Sequence, residues 1–406
     1  MKEQTLLSIV IPTKNRQKYC LSAVKSILAL NNNNIQIVIQ DNSDDDSLGI
    51  TLGEIGDDKI LKYSYIQKSL SFVENFNNAI DSADGIYMCI IGDDDGINPE
   101  IIEATQWAKD NDIDCLVGNV EANYRWDNTG AQDTFFTKMT GSTLTLTHFT
   151  GQAKKVDIED SLQRLMQNGC TNYLDFDFPK LYHGVVKKEC LQKLKEHSGV
   201  CLKGLSPDIY AAIALALTVK SLVVIDYPLT IPGVCAESGS IKEGQKKDHS
   251  KELSAAPHFQ GRTDEYQWEE NVPRIYCVQT IWADSAFNAI REFKREDLVH
   301  SFDKYMLCAN ILEADPTLQL MVDDYLIQQD PNLTLKEHHK HLALAKLKGP
   351  TKKFITKRVL GRAKKILKIE RFEIINDLPD MQAATKALQN YLSKLNINFR
   401  YELNKI

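Results

Sequence analysis

From Leu6 to Ile11 the chain is an unbroken apolar run, the pattern of a strand covered on both faces. Leu21, Val24 and Leu28 then recur at helical spacing, four asparagines from Asn31 break the pattern, and Ile35 to Ile39 returns to strand. The alternation continues with a helix over Ser71–Ala83, a buried strand over Ile86–Ile91, a helix opened by Asn98-Pro99-Glu100, and a strand over Asp114–Val120. Strands alternating with helices in this way predict an α/β domain with a mostly parallel sheet. Beyond Asn123 the sequence loosens into Thr, Gly and Ser up to about Gly151. Helices are expected again over Ile158–Asn168 and Pro207–Val219, followed by a strand over Ser221–Ile225. The polar stretch Gly233–Gly261 reads as a flexible loop or as a lid over a bound ligand, and Trp268–Gln329 is helical in character.

A chain of 406 residues is too long for one ordinary domain. The reading is a first domain over 1–261, divided into halves 1–125 and 126–261, a helical region over 262–345, and a basic amphipathic helix with a helical tail over 346–406. Hydrophobic residues make up 43% and charged residues 25%, ordinary for a folded soluble chain. No apolar run is long enough to span a bilayer, and Met1-Lys2-Glu3-Gln4-Thr5 has no signal-peptide character. A cytoplasmic location is therefore expected. The nine cysteines are scattered with no Cys-x-x-Cys pair, which excludes a zinc or disulfide framework.

Net charge changes the picture locally. The total is −7, but ten Lys or Arg and no acid lie between Lys346 and Lys368, so the rest of the chain is strongly acidic and would repel nucleic acid. The basic segment suits an anionic membrane surface, or docking on the acidic body of the same chain.

In a parallel α/β sheet, ligands bind at the carboxyl ends of the strands. Three polar clusters fall there: Pro12-Thr13-Lys14-Asn15-Arg16, Asp41-Asn42-Ser43, and Asp93-Asp94-Asp95 after Gly92. Three adjacent carboxylates repel one another unless a divalent cation and diphosphate oxygens convert that repulsion into binding, which suits Mn²⁺ or Mg²⁺. A solvated acidic turn is the plainer alternative.

This ordered set resembles the family 2 glycosyltransferases with the GT-A fold. The resemblance implies a nucleotide-sugar donor, favouring uridine diphosphate sugars, and a saccharide or lipid-linked saccharide acceptor, as in capsule or lipopolysaccharide assembly. It implies that Pro12, Thr13, Asn15, Arg16, Asp41, Asn75 and Asp93 line the nucleotide site, with Asn77 nearby. Asp93, Asp94 and Asp95 are implied as metal ligands. Gly92 stands where the family has its first aspartate, leaving open which two of the three bind the ion, and Phe76 stands near a common arginine position.

An inverting transfer needs a base for the acceptor hydroxyl. Asp208 in Ser206-Pro207-Asp208 fits best, although the same residues are ordinary helix-start chemistry. Asp175 and Asp177 are reserves, and His183 is a candidate for acceptor contact or a structural histidine. His338-His339-Lys340-His341 lacks accompanying acidic or cysteine ligands. A sugar nucleotidylyltransferase is a competing reading, disfavoured by the absence of glycine in Pro12–Arg16; a silent GT-A scaffold is another.

Overall fold

The structure, a computed structural model, describes residues 4–55, 60–118, 122–127, 141–147, 149–236, 266–348, 373–395 and 397–406. Four parallel strands form one half of the main sheet: β1 (Leu7–Thr13), β2 (Ile35–Asp41), β3 (Leu61–Tyr65) and β4 (Tyr87–Ile90), in the spatial order β3-β2-β1-β4. They alternate with α1 (Gln17–Leu28), α2 (Ser47–Ile55) and α3 (Phe72–Asp81). A short strand β5 (Gly96–Ile97) and α4 (Ile101–Asp110) lead into β6 (Cys115–Gly118).

The short strands β7 (Ala122–Arg125), β8 (Thr143–Leu146) and β9 (Ala153–Lys155) precede α5 (Ile158–Gln167). Next come β10 (Gly184–Lys187), α6 (Lys188–Ser198), α7 (Pro207–Ala216) and β11 (Leu222–Ile225). The second half of the sheet continues β4-β10-β6-β11-β9, with β10 and β9 antiparallel to their neighbours. Because β10 runs against β4, the residues that enter it, Tyr182 and His183, lie at the carboxyl edge of β4.

The apolar runs are covered on both faces, as their continuity predicts. Val10, Val38, Met88, Ile90, Val117, Val186 and Val224 join one core. Their alternates Ile9, Ile11, Ile37, Ile39, Cys89, Ile91, Leu116, Val185 and Val223 join the other. This is the period-two alternation of a strand, with both sides apolar. The first core is roofed by α3, α6, α7 and a helical layer of α8 (Val278–Glu292), α9 (Glu296–His300), α10 (Lys304–Ala314), α11 (Gln319–Gln329) and α12 (Leu335–Lys348).

The second core is closed by α1, α2, α4 and the C-terminal segment. The sequence predicts a helical tail there, but the described residues from 373 onward include a strand ahead of their helices. After β12 (Thr230–Ile231) and β13 (Gly233–Val234), the strand β14 (Glu373–Asn376) pairs antiparallel with β8 in a sheet ordered β13-β7-β8-β14. The helices α13 (Met381–Leu392) and α14 (Phe399–Leu403) follow, and Met381, Ala384 and Leu388 are buried in the second core. Only two apolar residues, Ile374 and Ile375, mark β14 in the sequence, too few for periodicity to register.

The helix expected from Asn98 begins at Ile101 with Glu100 as its cap and no side-chain cap bond. Asn98 instead donates through Nδ2 to the Pro228 carbonyl at 2.8 Å and accepts from the Glu100 N–H at 3.2 Å. Most of the basic segment 346–368 and most of the Gly233–Gly261 stretch lie outside the described residues. Among the described residues no helix is long and apolar enough to cross a membrane.

Candidate active site

The parallel register places Thr13 beside Asp41 at one edge of the sheet. The Ile91 N–H donates to Val10 O, so the chain leaves β4 and turns at Gly92 close to the end of β1. The three clusters expected at the carboxyl edge therefore do meet there, though not all in the same manner.

Asp93, Asp94 and Asp95 are buried, at 3%, 5% and 2% exposure. Thr13 Oγ1 donates to Asp93 Oδ2 at 2.7 Å. The Arg16 guanidinium, at the start of α1, lies 3.0 Å from Asp93 Oδ1 and 2.8 Å from Asp94 Oδ2. It also approaches Cys235 Sγ at 2.7 Å. Burial pushes the Asp93 carboxyl up to about 7, outweighing the guanidinium that pulls it down. The same contacts hold Arg16 firmly charged, despite the opposing effect of burial.

Asp95 is oriented differently. Its Oδ2 accepts from the Gly92 N–H at 2.5 Å and the Tyr182 hydroxyl at 3.0 Å, and its Oδ1 accepts from the Gly233 N–H at 2.6 Å. Burial and the neighbouring Asp94 charge raise its pKa. His183 Nε2 lies 3.4 Å from the same carboxylate, and its Nδ1 meets Thr230 Oγ1 at 2.9 Å. Burial, reinforced by Lys180, drives the His183 imidazole down to about 3, so it is neutral and acts as a hydrogen-bonding group. Its left-handed backbone, φ 64°, makes the turn into β10.

The strip containing β12 and β13 crosses this turn at very close range. A Cβ on Gly233 would collide with the Asp94 carbonyl oxygen, so only glycine fits. Trp126 Nε1 donates to that same carbonyl at 2.8 Å. The acidic turn is thus tied to a strip that lies more than a hundred residues further along the chain. Nothing in local sequence could reveal the crossing.

Among the described residues no three acidic, histidine or cysteine groups converge as a metal cluster. Asp93 and Asp94 do share one cation position, since a guanidinium stands between them, whereas Asp95 is turned towards backbone N–H groups. In charge and donor type, these two carboxylates thus fit a divalent ion.

The residues expected on the nucleotide side are interlocked. Asn15, in a left-handed conformation with φ 56°, donates from its N–H to Ser43 Oγ at 2.8 Å. Its side chain exchanges hydrogen bonds with Asp44, at 3.0 and 2.9 Å. Asp41 is fully buried, accepting from the Ser43 N–H at 2.8 Å and from the Tyr63 hydroxyl at 3.0 Å. Asp41 therefore braces the loop after β2. Tyr63, on a strand the sequence pattern did not signal, is a site-supporting residue that was missed; its strand is only half-buried.

Asn75, on α3, donates to Thr13 O at 3.3 Å and leaves its buried Oδ1 without a hydrogen-bond partner. α3 is started by a Ser71–Glu74 capping box. Asn77 on the same helix accepts from the Cys201 and Leu202 N–H groups at 3.1 and 3.0 Å and donates to Leu202 O at 3.0 Å. It pins the loop that leads into α7.

α7 is buried along its length except at Asp208. The Asp208 side chain is exposed to solvent, with protein mass packed around it. That mass raises its carboxyl to about 6, while the helix N-terminus and the open side favour the ionised form. Asp95, Asp94 and Asp208 all act electrostatically on the Tyr182 hydroxyl, which links the acidic turn to the start of α7. Of the reserve carboxylates, Asp177 pairs with Lys154 at 2.6 Å and Asp175 lies exposed in a short 3-10 turn. A cavity of about 710 Å³ opens beside Leu6, Asn34 and Trp107 and contains none of these residues.

Residues 8–160 match the model of glycosyl transferase family 2. Two curated relatives agree with this. Glycosyltransferase GlyG of Streptococcus pneumoniae is 27% identical over 133 residues, 32% of this chain and 43% of that protein. The GalNAc(5)-diNAcBac-PP-undecaprenol beta-1,3-glucosyltransferase of Campylobacter jejuni is 34% identical over 91 residues, 22% and 29% respectively. The alignments thus span less than half the length of these relatives. Among solved structures, S. aureus TarS 1-349 in complex with UDP-GlcNAc superposes with a TM-score of 0.41 at 18% identity, over 60% of this chain and 62% of that one.

Proposed function

We propose that this protein is an inverting glycosyltransferase that moves a sugar from a nucleotide diphosphate sugar to a saccharide or lipid-linked saccharide hydroxyl, with Asp208 as the base. The observation that carries this reading is the isolation of Asp208. It is the one exposed residue of an otherwise buried helix, in electrostatic reach of the same tyrosine as the acidic turn. A carboxylate with a pKa near 6 is ionised at neutral pH and still basic enough to accept a proton.

In this reading the acceptor hydroxyl gives its proton to Asp208 as its oxygen bonds to the anomeric carbon. The bond from that carbon to the β-phosphate oxygen breaks on the opposite side, and the nucleoside diphosphate departs. Pro12, Thr13, Asn15, Asp41 and Asn75 shape the nucleotide side, and His183 orients groups at the junction with the acceptor side. A divalent ion, Mn²⁺ or Mg²⁺, held by Asp93 and Asp94 would neutralise the departing diphosphate.

The lipid-linked acceptor named for the Campylobacter relative makes a polyprenyl diphosphate-linked saccharide a reasonable acceptor class. A role in capsule or lipopolysaccharide assembly and peripheral contact with the inner membrane face through 346–368 belong to the same proposal. The matched family disfavours a sugar nucleotidylyltransferase. The test is to incubate the full chain with a panel of nucleotide sugars and Mn²⁺ or Mg²⁺, and to measure nucleoside diphosphate release. Release from at least one donor is expected; no release and no binding of any donor would remove the enzyme reading.

A further inference from the structure

Two buried carboxylates, Asp93 and Asp94, face a single guanidinium at the turn after β4, with the buried Asp95 beside them, so the site remains short of positive charge even with Arg16 in place. The guanidinium occupies the point towards which Asp93 Oδ1 and Asp94 Oδ2 both face, at 3.0 and 2.8 Å. Carboxylate oxygens bind Mg²⁺ at about 2.0–2.1 Å. An ion bridging these two oxygens would stand against the guanidinium, and two cations do not share such a place.

Arg16 donates to Cys235 Sγ at 2.7 Å, while its contact with Asp93 is one of charge without a directed bond. Asp93 Oδ1 has no aligned hydrogen bond despite its ion-pair distance, and Arg16 Nε has no hydrogen-bond partner. The side chain is 21% exposed, leaving one edge open to water. Its backbone is fixed at the start of α1, so displacement needs only side-chain rotation. A planar fork with unused N–H donors is well matched to phosphate oxygens.

The geometry points to Arg16 as a tethered cation that fills the ion position between Asp93 and Asp94 until a nucleotide diphosphate draws it away, so that divalent ion and nucleotide bind together and the ion binds poorly alone. This rests on the nucleotide-sugar reading above, and it assigns Arg16 a positioning role that controls the order of binding. By linkage, the nucleotide must tighten the ion by the same factor as the ion tightens the nucleotide.

The test measures Mn²⁺ binding to the full chain by the paramagnetic resonance signal of free Mn²⁺, first without nucleotide and then with uridine, guanosine or thymidine diphosphate. In the native protein the effective diphosphate is expected to tighten Mn²⁺ by about tenfold or more. Arg16→Met, which keeps the apolar stem, is expected to bind Mn²⁺ alone about tenfold more tightly than the native protein and to lose most of the coupling. Arg16→Lys keeps a charge and should retain part of it.

Native protein that binds Mn²⁺ equally well with and without nucleotide would overturn the inference, and this measurement stands even if Arg16→Met does not fold. So would unchanged Mn²⁺ affinity in a folded Arg16→Met, or no Mn²⁺ binding by either protein with nucleotide bound. Failure of the native protein to bind any nucleoside diphosphate would instead remove the nucleotide-sugar reading itself.

Discussion

Asp95 and Asp208 both act on the hydroxyl of Tyr182, but their surroundings differ in kind. Asp95 is buried and accepts from two backbone N–H groups and a phenol, whereas among the described residues no group donates a hydrogen bond to Asp208. A carboxylate whose oxygens are filled by backbone donors shapes the chain; one left open at a helix start is free to take a proton. Identity as an aspartate in the site therefore says little about role, and the partners decide it.

The sharpest way to break this contrast is Asp208→Asn. It should lower transfer by about 10²–10⁴ while nucleotide binding changes little, since no described group depends on that carboxylate. Transfer by the native protein should rise as pH increases through about 6, where Asp208 loses its proton, and level off above it. Retained transfer in Asp208→Asn, or a rate that falls across that range, would reassign the base.

Asp95→Ala tests the other side, because it strands the Gly92 and Gly233 N–H groups and the Tyr182 hydroxyl. A loss of about 3 kcal/mol in chemical denaturation is expected, together with weakened nucleotide binding. A stable Asp95→Ala that binds nucleotide normally but cannot transfer would erase the distinction between the two aspartates.

The smallest expected effect lies behind the turn, where a Cβ on Gly96 would strike the Met381 thioether. Gly96→Ala should cost about 1–3 kcal/mol by overpacking, and pairing it with Met381→Ala should recover part of that cost. Strictly additive losses would show that the C-terminal segment does not back the acidic turn.

Much of the candidate site at the edge of β1, β2 and β4 was legible because its elements are local and strongly patterned. The apolar runs of β1, β2 and β4 end in polar clusters, and a parallel sheet gathers strand ends on one edge. The exposure of Asp208 was harder to foresee, since Ser206-Pro207-Asp208 opens any helix equally well; in the structure Ser206 makes no side-chain cap bond. What sequence could not supply were the long-range contacts: Arg16 between two aspartates, Gly233 over Asp94, Tyr63 on Asp41, and β14 against β8. Each joins segments whose spacing carries no periodic signal. The short half-buried β3 and the four-residue β14 also fall below the length at which alternation can be read.

The seat of Met381 under Gly96 has a consequence for biosynthesis. During translation the acidic turn emerges early, yet the thioether that supports it is made only after the whole helical layer of α8–α12. Until α13 arrives, the second core presents an open apolar face, and a nascent chain in that state is exposed to association with other chains. A ribosome stalled within the helical layer should therefore hold a first sheet that is formed but not sealed, and completion of the site would be among the last events of synthesis.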